Sequence, residues 1–185
     1  TLDKKGHSIE FDVAGTKFRV AQGEWSPFVP VTFELNSMFK AHGLAVFHVV
    51  RCGDEEVRVF VPPINIDPEG VPPQLPISAP AGFAAELEHE IGRPYETLGW
   101  ACITNPLKDQ HDSKMPEQSF MDDMVSTEQL REDLLMASLA RPDDWDVYFQ
   151  VFSTPDRVCH MLFREFDPEH PKYDAALAST QVHAF

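Results

Sequence analysis

The sequence predicts a mixed α+β / α/β fold: an antiparallel β lobe over about residues 7–61, then helices and at least one buried strand. Three observations predict it. The first third is built of short Val- and Phe-rich runs that alternate in polarity. Residues 62–80 hold seven of the sixteen prolines, too many for a helix or a central strand. Residues 81–185 carry helical periodicity, interrupted by the apolar run "DWDVYFQVFS".

The β runs are "SIEFDV", "TKFRVAQ", "VPVTFEL", "LAVFHVVRC" and "EEVRVFVPP", separated by "AGT", "GEWSP", "KAHG" and "CGDE". Gly15 and the Gly53-Asp54 pair supply hairpin turns, which predicts one antiparallel sheet with a solvated face. "PPINIDPEGVPPQLPISAP" is then an extended connector and the best boundary, dividing the chain into 1–61, 62–80 and 81–185. "AGFAAELEHEIG" is an Ala-rich helix stopped by Gly92. "PYETLGWACITNPLKDQHDSK" is irregular. From Glu117 to about Ala140 a long helix is expected, with Pro116 near its first turn and Pro142 past its end. Its apolar residues, including Phe120, Met124, Val125, Leu134 and Leu139, span a wide arc, so the helix is expected to be sandwiched. Residues 144–153 read as a buried parallel strand, because a near-continuous β run straight after a helix is what such a strand looks like. Thr154-Pro155 ends that strand and opens a helix running to about Phe166.

Net charge is −15, which repels nucleic acid backbones and anionic membranes; neither is expected as a partner. An anionic substrate needs a local positive charge, and a bound metal is one source. The three Cys are scattered, with no CxxC, and read as reduced thiols, which favours the cytoplasm. No apolar run reaches the ~18 residues of a membrane span, and the opening residues hold no apolar leader core.

The chemistry concentrates in "STPDRVCHMLFREFDPEHPKYD". Asp156 and His160 stand four apart, so a helix places them on one face, about one turn apart. A carboxylate and an imidazole suit Zn²⁺ or Mn²⁺. Asp in a first turn is also favoured by the helix dipole alone, with the His its hydrogen-bonded neighbour. Both readings stay open on the spacing.

"VFSTPDRVCHMLFREFDPEHPKYD" resembles the type I phosphodiesterase/nucleotide pyrophosphatase branch of the alkaline phosphatase superfamily, in its bacterial phosphohydrolase/phosphomutase group. The resemblance extends through "GEWSPFVPVTFEL", "VFVPPINIDPE", "LPISAP" and "ETLGW", from about residue 23 to 175. It implies that Asp156 and His160 ligate one of two divalent metals, Zn or Mn. It also implies phosphoryl transfer from a small phosphate ester to a Ser or Thr nucleophile. No match to that nucleophile or to the remaining ligands occurs in the chain. The resemblance therefore implies an internal piece: an inserted β lobe, a connector and part of an α/β catalytic domain, inactive alone and without bound metal. The alternative is a non-catalytic cap or interaction module. A strand at 145–153 without parallel neighbours would expose bare edges, and a homodimer covering them is expected.

Other residues carry competing readings. His170 faces a substrate or sits in a turn; His111, with Asp109 and Asp112, is a metal cluster or a solvated loop; Lys108 alone says little. Trp25, Trp100 and Trp145 are packing anchors in preference to a carbohydrate platform. His42, His48 and His89 suggest no site.

Overall fold

The computed structural model describes residues 2–3, 7–34, 36, 40–72, 76–92, 117–142, 145–173 and 175. The chain divides into two compact units, Thr1–Thr104 and Asn105–Phe185. Residues 62–80 therefore lie inside the first unit. The irregular "PYETLGWACITNPLKDQHDSK" stretch, with Trp100, Cys102, Lys108, Asp109, His111 and Asp112, falls outside the described residues, as does Pro116.

In the first unit, β1 (Leu2–Asp3), β2 (Ser8–Val13) and β3 (Thr16–Ala21) form one antiparallel sheet in that order. Val13 pairs with Thr16, so Ala14 and Gly15 turn the hairpin, with φ of +50° and +86°. Positive φ at both central positions is the turn whose twist matches a hairpin. A second sheet has the order β4 (Val29–Glu34), β5 (Lys40–Ala45), β8 (Asn65–Ile66). β6 (His48–Cys52) and β7 (Val57–Phe60) make a third ladder. Pro30 lies in β4, which takes an edge place, where a missing N–H is tolerated.

The expected single sheet is thus three ladders, and "LAVFHVVRC" is two strands rather than one. The break falls at Val46 and Phe47. Ser26 takes the Phe47 backbone out of the ladder: its Oγ accepts from Phe47 N at 2.9 Å, and its own N–H donates to Phe47 O at 2.8 Å. The freed Phe47 ring packs 5.3 Å from Phe11 and 5.6 Å from Phe18. Beside these rings Val20, Val49 and Cys52 form a closed core. His48 is fully buried; it stacks on Trp25 at 4.5 Å, and its Nδ1 lies 2.9 Å from Glu24 O. Trp25 and His48 therefore serve packing.

A 3-10 turn, Pro68–Gly70, follows β8, and the Asp67 carboxylate caps it by accepting from Glu69 N. Helix α1 (Phe83–Ile91) buries Ala84 and Leu87 and ends at Gly92, whose φ of +70° closes the last turn onto Glu88 O.

In the second unit, α2 runs Glu117–Ala140 and α3 runs Thr154–Leu162, with a 3-10 turn at Phe163–Glu165. The two helices pack on each other. The wide apolar arc expected of α2 is corrected. Phe120, Met124, Thr127, Leu130, Leu134 and Ser138 form one buried stripe along the helix, Met121 is buried beside it in the first turns, and Val125 and Leu139 are exposed. Spacings of three and four along that stripe are those of one helical face.

The buried parallel strand at 144–153 is also corrected; the described part, 145–153, is irregular and outside any ladder. Val147 and Phe149 are 83% and 85% exposed. A strand's backbone bonds come from its neighbours, and no described strand lies in this unit. Instead α2 ties the segment down: Arg131 Nη1 donates to Val151 O at 3.1 Å, and Gln150 Nε2 donates to Arg131 O at 2.7 Å. Antiparallel sheets and three α-helices among the described residues make the class α+β. Among those residues no helix is long and apolar enough to cross a membrane.

Candidate functional site

Helix α3 positions the Asp156–His160 pair, and its own sequence explains how. Ser153 precedes the helix, and Pro155 sits in its first turn, where a missing N–H costs nothing. Thr154, Val158 and Leu162 are buried, four residues apart, and fix the helix rotation. At ~100° per residue, Asp156 and His160 then fall on the opposite side. They are 74% and 75% exposed, and Asp156 Oδ1 lies 3.5 Å from His160 Nε2.

That distance is long for a hydrogen bond. It also matches the separation of two ligands on ~2.1 Å arms of a tetrahedron, about 3.4 Å. The donor set of one carboxylate oxygen and one imidazole nitrogen is also right for Zn²⁺ or Mn²⁺. The pair therefore fits as two ligands of a metal. Among the described residues, no third His, Cys, Asp or Glu joins them to make a group able to hold one. Two ligands leave a four-coordinate ion half open. Cys159, next in sequence to His160, is an exposed free thiol.

The other residues weighed from the sequence fall elsewhere. His170 sits in a turn, its Nδ1 accepting from Lys172 N at 3.1 Å while its own N–H donates to Asp167 O. Trp145 packs on Tyr148 with ring centroids 5.8 Å apart. His42 Nδ1 lies 3.1 Å from Thr32 Oγ1 on the β4–β5 ladder.

His89, set aside in the sequence, lies in a carboxylate group that sequence reasoning missed. His89 Nε2 is 2.7 Å from Glu69 Oε1, and the neighbouring Glu88 carboxyl is raised above the ordinary glutamate value. Burial is the main cause, the charges of Asp67 and Glu69 add to it, and His89 opposes it. Asp67 and Glu69 belong to "DPE" in the connector, Glu88 and His89 to the helix; only the chain's return brings them together.

No family model, curated protein or solved structure matches the chain.

Proposed function

We propose that this chain is part of a metal-dependent phosphohydrolase, with Asp156 and His160 as two ligands of one of its divalent cations. The observation that carries the reading is the pairing of these side chains, 3.5 Å apart, exposed, and on the face of α3 away from its buried stripe. The resemblance of residues 151–174 to the type I phosphodiesterase branch supplies the chemistry. A bound Zn²⁺ or Mn²⁺ would act there as a Lewis acid toward a phosphoryl oxygen. The chain's own part is to present the two donors from one rigid helical turn, anchored from behind by Thr154, Val158 and Leu162. The nucleophile, the second metal's ligands and the rest of the first set come from outside the described residues.

The test uses the protein that carries this chain, with p-nitrophenyl phosphate and its bis ester as probes and Zn²⁺ or Mn²⁺ supplied. Asp156→Ala and His160→Ala should each lower kcat by at least about 100-fold, more than typically follows loss of a mere supporting partner. Activity that survives both changes assigns the pair to solvent and removes the reading. The 185-residue chain alone should bind Zn²⁺ weakly and turn over neither ester.

A further inference from the structure

Helix α3 is nine residues long. Isolated helices shorter than ~12–15 residues are marginal in water. Its start also lacks a common support: Ser153, the N-cap, makes no side-chain capping bond among the described residues. Asp156 stands in that first turn, where helices fray, whereas His160 stands in the last. The two side chains share a face only while the turn between them is wound. We propose that Arg131 and Gln150 are positioning residues for this pair. They clamp the segment entering α3 onto α2 and so keep Asp156 in register with His160. The proposal rests on the reading of Asp156 and His160 as metal ligands, and it adds how those donors are held.

The clamp is reciprocal. Arg131 Nη1 donates to Val151 O at 3.1 Å, and Gln150 Nε2 donates to Arg131 O at 2.7 Å. Two bonds running in opposite directions between the same two stretches fix orientation as well as distance. Tyr148 Oη donates to Gln150 Oε1, so both ends of that amide are engaged and its NH₂ is directed to α2. Val151 precedes the N-cap by two residues, and just past it Arg157 N donates to Ser153 O at 3.1 Å in the first turn.

The anchor is a firm one. Arg131 lies within α2, a helix of 24 residues with its own buried stripe, so the clamp ties a short helix to a long one. Thr154, Val158 and Leu162 hold α3 from its buried side and set its rotation. They do not set where the chain enters. Residues 145–153 lie outside any ladder, and the Arg131 and Gln150 side chains supply bonds that a neighbouring strand would otherwise give.

Mn²⁺, titrated into the isotope-labelled 185-residue chain, tests this through the paramagnetic broadening of amides 156–160. Asp156→Asn gives the background from ions on the acidic surface, and broadening in excess of it reports the pair. Gln150→Ala should weaken that Mn²⁺ binding about tenfold, the low end for loss of an outer-shell partner. Hydrogen exchange of amides 157–160 should quicken, while that of α2 amides 120–130 stays as it was. Arg131→Ala should behave alike, and Arg131→Lys, which keeps a donor for Val151 O, should restore both readouts. Unchanged Mn²⁺ binding in Gln150→Ala, with helical circular dichroism intact, overturns the clamp and leaves the ligand reading in place. So does faster exchange spread evenly over α2 and α3, which marks general destabilisation. No excess broadening in the unaltered chain removes the ligand reading and the proposal with it. If Gln150→Ala does not fold, Gln150→Glu, which keeps the shape and loses the donor, takes its place.

Discussion

Glu88 shows how one residue can set a pH dependence for a whole unit. Its carboxyl is raised by burial first and by the Asp67 and Glu69 charges second. A raised value in the fold means that the fold accommodates the protonated form better. Its contribution to stability is intact below the ordinary glutamate value and is lost as pH climbs through the raised one. Glu88→Gln should therefore raise the urea midpoint at about pH 7, by less than about 1 kcal/mol because the group is partly exposed and screened. The advantage should fade toward about pH 4, where glutamate is largely protonated in either state. An equal gain at both pH values would show that packing, not charge, explains the change. Asp156 and His160 differ from Glu88 in kind, being open to solvent and four residues apart on one helix. That local spacing is why they were legible in the sequence, whereas Glu88, Asp67 and Glu69 were not.

At the scale of elements, α2 and α3 each bury a stripe with spacings of three and four. Phe120 is fully buried in that stripe of α2, whereas Val125, five residues on, is half exposed. Phe120→Ala should cost about 3–5 kcal/mol in chemical denaturation. Val125→Ala should stay within about 0.5 kcal/mol. Comparable losses at both would restore the sandwiched helix that the sequence suggested. That expectation counted every apolar residue as a wall. Burial depends on which faces find neighbours, and periodicity alone does not count neighbours. The helix ends were more legible. Gly92 stops α1 because only a residue at ease with positive φ closes that turn, and Pro155 opens α3.

At the scale of the whole molecule, residues 145–152 are the exposed apolar segment on which copies of the chain are expected to meet. Val147, Phe149 and Val151 are exposed on an irregular segment whose backbone has no ladder partner among the described residues. Such a segment is a template for strand pairing. Light scattering should find mass that rises with concentration, and Phe149→Lys should hold the chain monomeric over the same range. Mass independent of concentration in the unaltered chain would remove this expectation. The substitution should leave the helical circular dichroism unchanged, because Phe149 is 85% exposed.

The sequence by itself determined the local matters: the first hairpin, the long helix, the stop at Gly92, the start at Pro155, and the placing of Asp156 beside His160. Each depends on residues within a few positions of one another, through dihedral limits or helical spacing. Tertiary structure alone decided the rest. Ser26 broke a strand by binding Phe47 from a distant loop, and "DWDVYFQVFS" stayed out of a ladder for want of neighbouring strands. Glu69, Glu88 and His89 came to share one cavity wall because the chain returns on itself. These outcomes turn on which partner arrives from afar, and a composition or period carries no record of the partner.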